Sequence, residues 1–229
     1  MSNKKKDYIE ENLELSQMNR VIRHRLRNLC AGVKMTSNRI AETLKESNPR
    51  MSARCEVIVS ELDNLFEFTQ RMDLLFDALP PKEAKTFFDL IISLQEYFVK
   101  KFPFVNMELA GEELDITISS GNLLYTLLWE LLDNAGNGAG SDGKVKLNWS
   151  LNQDNQLVFE IENNGEIPAE IPISPPKPFY TLRSRHDGVG LAIAYRIAKE
   201  LESEVIIDNS NSGFVKTIIK ISPGELLNG

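Results

Sequence analysis

One stretch, residues 121–134, decides the fold and reads GNLLYTLLWELLDN. Its leucines recur at helical spacing and predict a helix with a broad apolar face. They are Leu123, Leu127, Leu128, Leu131 and Leu132. Two polar residues, Glu130 and Asn134, lie four positions apart on this core-forming helix. A carboxylate and an amide oxygen together suit Mg²⁺, which prefers oxygen ligands. The alternative is an ordinary helix end, stopped by Gly136 and Gly138.

Short β-like segments and further helices surround this stretch. Alternating residues predict strands over 85–90, 105–109, 114–118, 145–151, 157–161, 204–207 and 214–221. Helical patterns cover 91–101 and 190–201. Strands and helices alternate without a strict βαβ rhythm, so we expect an α+β fold. The expected architecture is a two-layer α/β sandwich, with a mixed sheet and helices on one face.

The chain before residue 81 has a different texture. Residues 7–46 lack proline and carry a helical apolar stripe, which includes Ile22, Leu29 and Val33. A second stripe alternates four and three from Met51 to Leu79 and is typical of bundle packing. We expect a two-helix hairpin that ends at Pro80-Pro81 and pairs with a second copy as a dimeric four-helix bundle. The predicted domains are therefore residues 1–80 and 81–229.

Composition excludes several classes of protein. The 229-residue chain is 42% hydrophobic and 26% charged, which is ordinary for a soluble folded protein. No apolar run reaches the ~18 residues of a membrane span, so we expect no span in this chain. A net charge of −7 argues against nucleic-acid binding. The polar N-terminus and two core-like cysteines, Cys30 and Cys55, indicate a cytoplasmic location.

His24 is one of two histidines, and its helical position turns it away from the apolar stripe. Arg20, Arg27 and Asn28 fall on the same face by their spacing. Nearby guanidinium groups favour the neutral, nucleophilic imidazole and attract a phosphoryl group. The alternative is a solvated histidine on a basic helix face, and the spacing alone favours that alternative.

Two further segments are candidates for binding a nucleotide. The sequence Asn163-Asn-Gly165 ends a predicted strand, and Gly188-Val-Gly190 opens a predicted helix. A helix start offers backbone N–H groups and a dipole to phosphate. The residues between them, 163–187, form a long loop with several basic side chains, and long loops in compact domains are usually functional.

Five motifs, in this order, resemble those of the cytoplasmic core of a sensor histidine kinase. They are residues 22–28 (H-box, of the His-Arg-x-Lys/Arg-Asn type), 130–135 (N-box), 161–168 (G1), 178–183 (F-box) and 188–193 (G2). The resemblance covers essentially the whole chain. It implies a phosphoacceptor hairpin followed by an ATP-binding domain of the gyrase, Hsp90, histidine kinase and MutL type.

The resemblance also implies residue roles. His24 accepts the γ-phosphoryl of ATP, with Asn28 in the same catalytic motif. Asn134 binds Mg²⁺, and Glu130 positions either the metal or the attacking group. The implied nucleotide contacts are Asn163 to adenine, Gly165 where the base approaches the backbone, Gly188 and Gly190 around the phosphates, and Arg183 at the basic position of a lid.

Three positions depart from the family pattern. Arg25 stands where an acid often follows the phosphoacceptor, Asn163 where an aspartate binds adenine, and Asn137 where a basic residue is often found. The leading hypothesis is an ATP-dependent protein-histidine kinase that passes its phosphoryl group to an aspartate of a response-regulator receiver domain. The alternatives are a dimeric histidine phosphotransfer adaptor without a working ATP site and a non-catalytic scaffold. Residues 4–16 leave room for an upstream sensor module.

Overall fold

The computed structural model describes residues 3–166, 177–181, 187–208 and 213–228. The chain divides into two compact units, Met1–Ala78 and Leu79–Gly229. Among the described residues, no helix has the length and apolar character that crossing a membrane requires.

The first unit is a pair of long helices, α1 (Asn3–Leu44) and α2 (Pro49–Phe76). Asn48 caps α2, because its side chain accepts a hydrogen bond from the backbone N–H of Met51. The helix ends earlier than the predicted stripe, which ran on to Leu79. Asp77 is extended (φ −97°, ψ −179°), and its N–H still donates to the carbonyl of Asp73.

Helix α1 turns small and polar residues, rather than its apolar stripe, towards the interior of the hairpin. Its buried residues are Arg23, Cys30, Ser37 and Ala41. Cys30 and Cys55 are both buried free thiols, as predicted. The apolar stripe is exposed in the single chain, where Leu29 keeps 62% of its surface and Ile22 keeps 47%. The hairpin alone therefore leaves this stripe uncovered.

The second unit is built on a five-stranded sheet with the order β2-β4-β5-β7-β6. The strands are β2 (Asn106–Gly111), β4 (Lys144–Leu151), β5 (Leu157–Asn164), β6 (Glu204–Asp208) and β7 (Phe214–Ile221). The pair β2–β4 is parallel and the other pairs are antiparallel, so the sheet is mixed. Strand β5 buries alternate residues, as a strand does when one face is covered.

Three helices cover the buried face of the sheet: α3 (Phe87–Lys101), α4 (Gly121–Ala139) and α5 (Gly190–Glu200). Helix α4 lies between the other two and contacts β4 and β5. Its leucines are almost fully buried, including Leu124, Leu127 and Leu128. The predicted α+β class, with one layer of helices on a mixed sheet, is confirmed.

Two predicted boundaries were wrong. Residues 85–90 form only a two-residue strand, β1 (Lys85–Thr86), because Thr86 starts α3 by accepting a hydrogen bond from the N–H of Asp89. Helix α4 also runs on to Ala139, past Asn134, where the predicted helix ended, and past the glycines of the alternative interpretation. Gly136 is there for close packing, since a Cβ at this position would lie 2.7 Å from the ring of Phe102.

A small second sheet was not predicted. Strand β1 pairs with β3 (Ile116–Ile118), which pairs with β8 (Leu226–Asn228) near the end of the chain. Glu225, just before β8, accepts hydrogen bonds from Lys82 Nζ (2.7 Å) and from the hydroxyl of Ser119. The end of the chain is thus tied to the segment that leads into β1.

Candidate functional site

His24 lies on the exposed side of α1, as its helical position predicts. Asn28, one turn further along, is also exposed, so the two side chains share a solvent-facing surface. Asn28 also borders a shallow groove of about 330 Å³ on this helix. The other residues that line it are Leu29, Gly32, Val33, Thr36 and Ser37.

The arginines around His24 are not the free basic cluster that their spacing suggested. Arg27, predicted to share the exposed face, forms an ion pair with Asp73 of α2. Arg23 is 7% exposed and reaches both Asp73 and Asp77. Arg20 and Arg25 remain exposed, and Arg20 keeps 76% of its side chain in solvent with its Nε 4.0 Å from Asp77. Sequence reasoning missed the two aspartates, whose four-residue spacing at the end of α2 was the available signal.

The ion pairs shift the pKa values of their members. Burial lowers the pKa of the Arg23 guanidinium, but hydrogen bonds to Asp77 and Asp73 outweigh it and raise that pKa above its usual value. Burial raises the pKa of Asp73, but hydrogen bonds from Arg23 and Arg27 lower it below its usual value. Arg23 and Asp73 therefore both stay charged near neutral pH.

In the second unit, the candidate residues of α4 stand one turn apart. Glu130 is 1% exposed, whereas Asn134 is exposed to solvent. Among the described residues, no group of three or more histidine, cysteine or acidic side chains could hold a metal ion. The Asn134 side chain is thus accessible from solvent, whereas the Glu130 carboxylate is not.

A polar cluster lies beside Asn134. The Asp133 carboxylate accepts a hydrogen bond from the Tyr97 hydroxyl (3.0 Å) and pairs with Lys101 Nζ (2.5 Å). Asn137 donates to the Asp133 carbonyl oxygen at 2.7 Å. Sequence reasoning did not identify Lys101 and Asp133, because they come from different helices. Asn137 stands where the family pattern often has a basic residue. Lys101 brings a positive charge near that position, because it pairs with Asp133, one helical turn before Asn137.

Asn163 lies on the buried face of β5, near its end, with 7% of its surface exposed. Its side-chain Nδ2 donates to the carbonyl oxygen of Asn164 at 2.7 Å. Since that carbonyl can only accept, this contact fixes the amide orientation and leaves the Asn163 side-chain oxygen available as an acceptor. Gly165 follows with φ +132°, and a Cβ there would lie 2.8 Å from the Gly138 carbonyl oxygen. This close approach brings the end of β5 against the end of α4.

The motif Gly188-Val-Gly190 also requires a glycine at its first position. Gly188 has φ +68°, and a Cβ there would lie 2.9 Å from backbone atoms of Phe179 and Tyr180. The Phe179 N–H donates to the Gly188 carbonyl at 2.9 Å, so residues 177–181 are fastened to this turn. Helix α5 begins at Gly190 directly after it. Arg183 and the second histidine, His186, lie outside the described residues.

Residues 120–224 match the family described as histidine kinase-, DNA gyrase B-, and HSP90-like ATPase. This stretch holds α4, β5, the Gly188 turn and α5, and the second unit, Leu79–Gly229, is named the ATPase unit after this match. No curated protein is significantly similar to the chain in sequence.

Solved histidine kinases have similar structures. Full-length ShkA in complex with AMPPNP superposes with a TM-score of 0.74 at 15% identity, covering 93% of this chain and 46% of that one. The histidine kinase AdeS of Acinetobacter baumannii gives 0.57 at 18% identity, covering 82% and 94%. The mycobacterial sensor histidine kinase MprB gives 0.54 at 15% identity, covering 61% and 97%. These likenesses show that the chain has the fold of a histidine kinase core, as its motifs predicted.

Proposed function

We propose that this chain is the core of an ATP-dependent protein-histidine kinase. In this proposal, His24 receives the γ-phosphoryl group of ATP and passes it to an aspartate of a response-regulator receiver domain. The observation that carries the proposal is an exposed histidine on a two-helix hairpin that precedes a domain of the histidine kinase-like ATPase family. Two buried free thiols support a reducing compartment, the cytoplasm.

The nucleotide site of the proposal lies between the ends of α4 and β5 and the start of α5. The Asn163 side-chain oxygen accepts from the amino group of adenine, and Gly165 leaves room for the base. Gly188 and Gly190 present backbone N–H groups to the phosphates at the start of α5. Arg183 belongs to the same proposal by its motif position alone.

Mg²⁺ fits this site as a metal held jointly by protein and nucleotide. The exposed Asn134 amide oxygen supplies one protein ligand, and phosphate oxygens supply others, a common arrangement for Mg²⁺. When bound, the metal neutralises charge on the phosphates during transfer. The buried Glu130 carboxylate, one turn earlier, orients the groups around Asn134.

In the transfer step, an unprotonated imidazole nitrogen of His24 attacks the γ-phosphorus. The bond from that phosphorus to the β,γ-bridging oxygen breaks, and ADP leaves with the electron pair. The phosphoimidazole then loses the proton of its other ring nitrogen to water. The guanidinium groups near His24 outnumber the carboxylates of Asp73 and Asp77, and the excess positive charge lies on the solvent-exposed Arg20 and Arg25. That charge stabilises the incoming phosphoryl group.

We also propose that the chain acts as a homodimer through residues 7–79. The support is the apolar stripe of α1, which the hairpin leaves exposed at Ile22, Leu29, Val33 and Ile40. The groove beside Asn28 runs along the same stripe. Two hairpins that pair these surfaces would form a four-helix bundle.

A second candidate function is a dimeric phosphotransfer adaptor with a weak or absent ATP site. Two observations favour it. Asn163 offers adenine a neutral acceptor, which binds more weakly than a charged one. The Asn137 amide is already engaged by the Asp133 carbonyl and is uncharged, where the family often has a basic side chain.

Incubation with γ-labelled ATP and Mg²⁺ separates the candidates. A kinase acquires an acid-labile, base-stable label that His24→Gln abolishes, while nucleotide binding measured by calorimetry is unchanged. If the unmodified protein binds no nucleotide at millimolar Mg-ATP, the kinase proposal is wrong. Labelling of His24 only by a phosphorylated receiver domain would then support the adaptor.

Asn163→Asp tests the adenine contact. A charged acceptor should bind ATP more tightly than the neutral amide does. Unchanged or weaker affinity by calorimetry would show that Asn163 is not the adenine contact. Asn164→Asp is the matched control: the Asn164 side-chain oxygen accepts from the Lys144 N–H, and the residue lies on the opposite face of β5.

A further inference from the structure

We propose that Arg23 is a positioning residue for His24: its guanidinium bridges Asp73 and Asp77 and fixes the rotation of α1 that presents the imidazole. These three residues form the Arg23 clamp. The inference rests on the proposed function, in which His24 must meet a bound ATP molecule.

The Arg23 clamp is a part-buried contact of good hydrogen-bond geometry. Arg23 Nε lies 2.7 Å from Asp73 Oδ1, and its Nη2 lies 2.8 Å from Asp77 Oδ2. The Arg23 side chain is 8% exposed, and those of Asp73 and Asp77 are 31% and 21% exposed, so solvent screens these ion pairs less than it screens fully exposed ones. The two nitrogens of one planar guanidinium point to a carboxylate in the last turn of α2 and to that of the extended residue just after it, which restricts the geometry more than one contact would.

Apolar packing does not fix the rotation of α1 near His24. Between residues 16 and 29 of α1, Arg23 is the only buried side chain. The next buried residue is Cys30, seven positions further on. At the level of His24, the contact between α1 and α2 is therefore formed by the clamp, together with the ion pair of the less buried Arg27 to Asp73.

The clamp governs the direction of the imidazole because the two residues are adjacent on a helix. Neighbouring helical side chains point about 100° apart around the axis. When the guanidinium is held against α2, His24 is held on the exposed side of α1. Without the clamp, α1 could rotate at this level and carry the imidazole out of line with a bound phosphate.

Loss of alignment should matter only when the phosphoryl donor is itself fixed. A displacement of about 1 Å can slow a transfer between bound partners by about 10²-fold. A small diffusing donor such as phosphoramidate approaches an exposed imidazole from many directions. The two donors therefore distinguish poor alignment from a damaged acceptor.

The test compares Arg23→Gln and Arg23→Lys with the unmodified chain. Lys34→Gln is the matched control, because Lys34 also joins α1 to α2, through an exposed ion pair with Asp63. We expect Arg23→Gln to lower kcat for His24 phosphorylation by Mg-ATP about 10-fold or more, with unchanged KM. Labelling by phosphoramidate should stay within about twofold, and Lys34→Gln should match the unmodified chain. Arg23→Lys should restore the rate only in part, since one ammonium cannot hold the same fork.

Three results would overturn the inference: an unchanged kcat in Arg23→Gln, a parallel loss with both donors, or full rescue by lysine. Amide hydrogen exchange over residues 20–27 tests the clamp without ATP and should be faster in Arg23→Gln but not in Lys34→Gln. Unchanged protection there also refutes it. If Arg23→Gln does not fold, the milder Asp77→Asn takes its place. If phosphoramidate labels the unmodified chain but Mg-ATP does not, the kinase proposal is refuted. The hydrogen-exchange experiment still tests the clamp in that case.

Discussion

Replacing Gly165 with alanine should destabilise the ATPase unit more than replacing Gly140. Both glycines have a positive φ, +132° and +71°, which L-residues adopt only with strain. They differ in the space around them. A Cβ at Gly165 would lie 2.8 Å from the Gly138 carbonyl oxygen, whereas nothing lies within 4 Å of one at Gly140. Gly140→Ala therefore measures strain alone.

The expected difference follows from that contact. Ordinary Cβ contacts begin near 3.4 Å, so either the backbone at Gly165 or the end of α4 must move by about 0.6 Å (3.4 minus 2.8). Backbone strain costs about 1–3 kcal/mol in either variant. Forcing an extra carbon into a closed space adds about 1–3 kcal/mol at Gly165 only. We expect the two variants to differ by about 2 kcal/mol in their free energy of unfolding.

Urea unfolding followed by tryptophan fluorescence measures this difference. Both tryptophans, Trp129 and Trp149, lie in the ATPase unit, so the signal reports on that unit alone. A difference of about 2 kcal/mol separates the midpoints by about 1 M urea when m is about 2 kcal/mol/M. Midpoints that agree within about 0.2 M would show that the backbone at Gly165 moves at little cost and that its close approach to the end of α4 does not contribute to stability.

Three other predictions concern separate parts of the chain. Glu225→Gln should lower the free energy of unfolding at neutral pH. Burial raises the pKa of Glu225, but hydrogen bonds from Lys82 and Ser119 lower it below its ordinary 4.5. The unmodified chain should therefore be more stable than the variant above pH 4.5 and lose this difference as pH falls through the lowered pKa, which urea unfolding at several pH values measures. Leu29→Asp should leave the helix content of the hairpin intact by circular dichroism, because Leu29 is exposed in one chain, and should weaken the proposed dimer; light scattering that finds an unchanged dimer contradicts this. Asn122→Ala should lower the unfolding free energy by about 2 kcal/mol, since its amide bonds to the Pro81 carbonyl and the Glu83 N–H would be lost; a loss below about 0.5 kcal/mol in urea unfolding would show these bonds to be unimportant.

Periodicity predicted most of the ATPase unit because its strands and helices bury one face each. The alternation in residues 157–161 carries through β5, and the leucines of α4 match its buried side. Periodicity could not predict that α4 continues past Gly136. The ring of Phe102, at the end of α3, packs where a side chain at Gly136 would lie, and that contact is not visible in the sequence of α4. A glycine that ends a helix and one that admits a neighbouring ring look alike in sequence.

Around His24, the sequence predicted exposure but not electrostatics. Spacing on α1 placed Arg27 beside His24, yet its guanidinium turns to Asp73. Long arginine side chains reach partners on other helices, and those partners decide where the charge lies. The partner helix and its register become known only when the hairpin is formed.

The tie between Lys82 and Glu225 affects how the ATPase unit can be produced as a separate fragment. Both residues lie outside the family match at 120–224, and so does β8. A fragment that begins before Pro81 but stops at residue 224 lacks the third strand of the small sheet and turns β3 into an open edge. Open edges invite pairing between molecules, so such a fragment is prone to aggregate. A fragment that starts before Pro81 and continues through Asn228 keeps both ends of the tie and the edge covered.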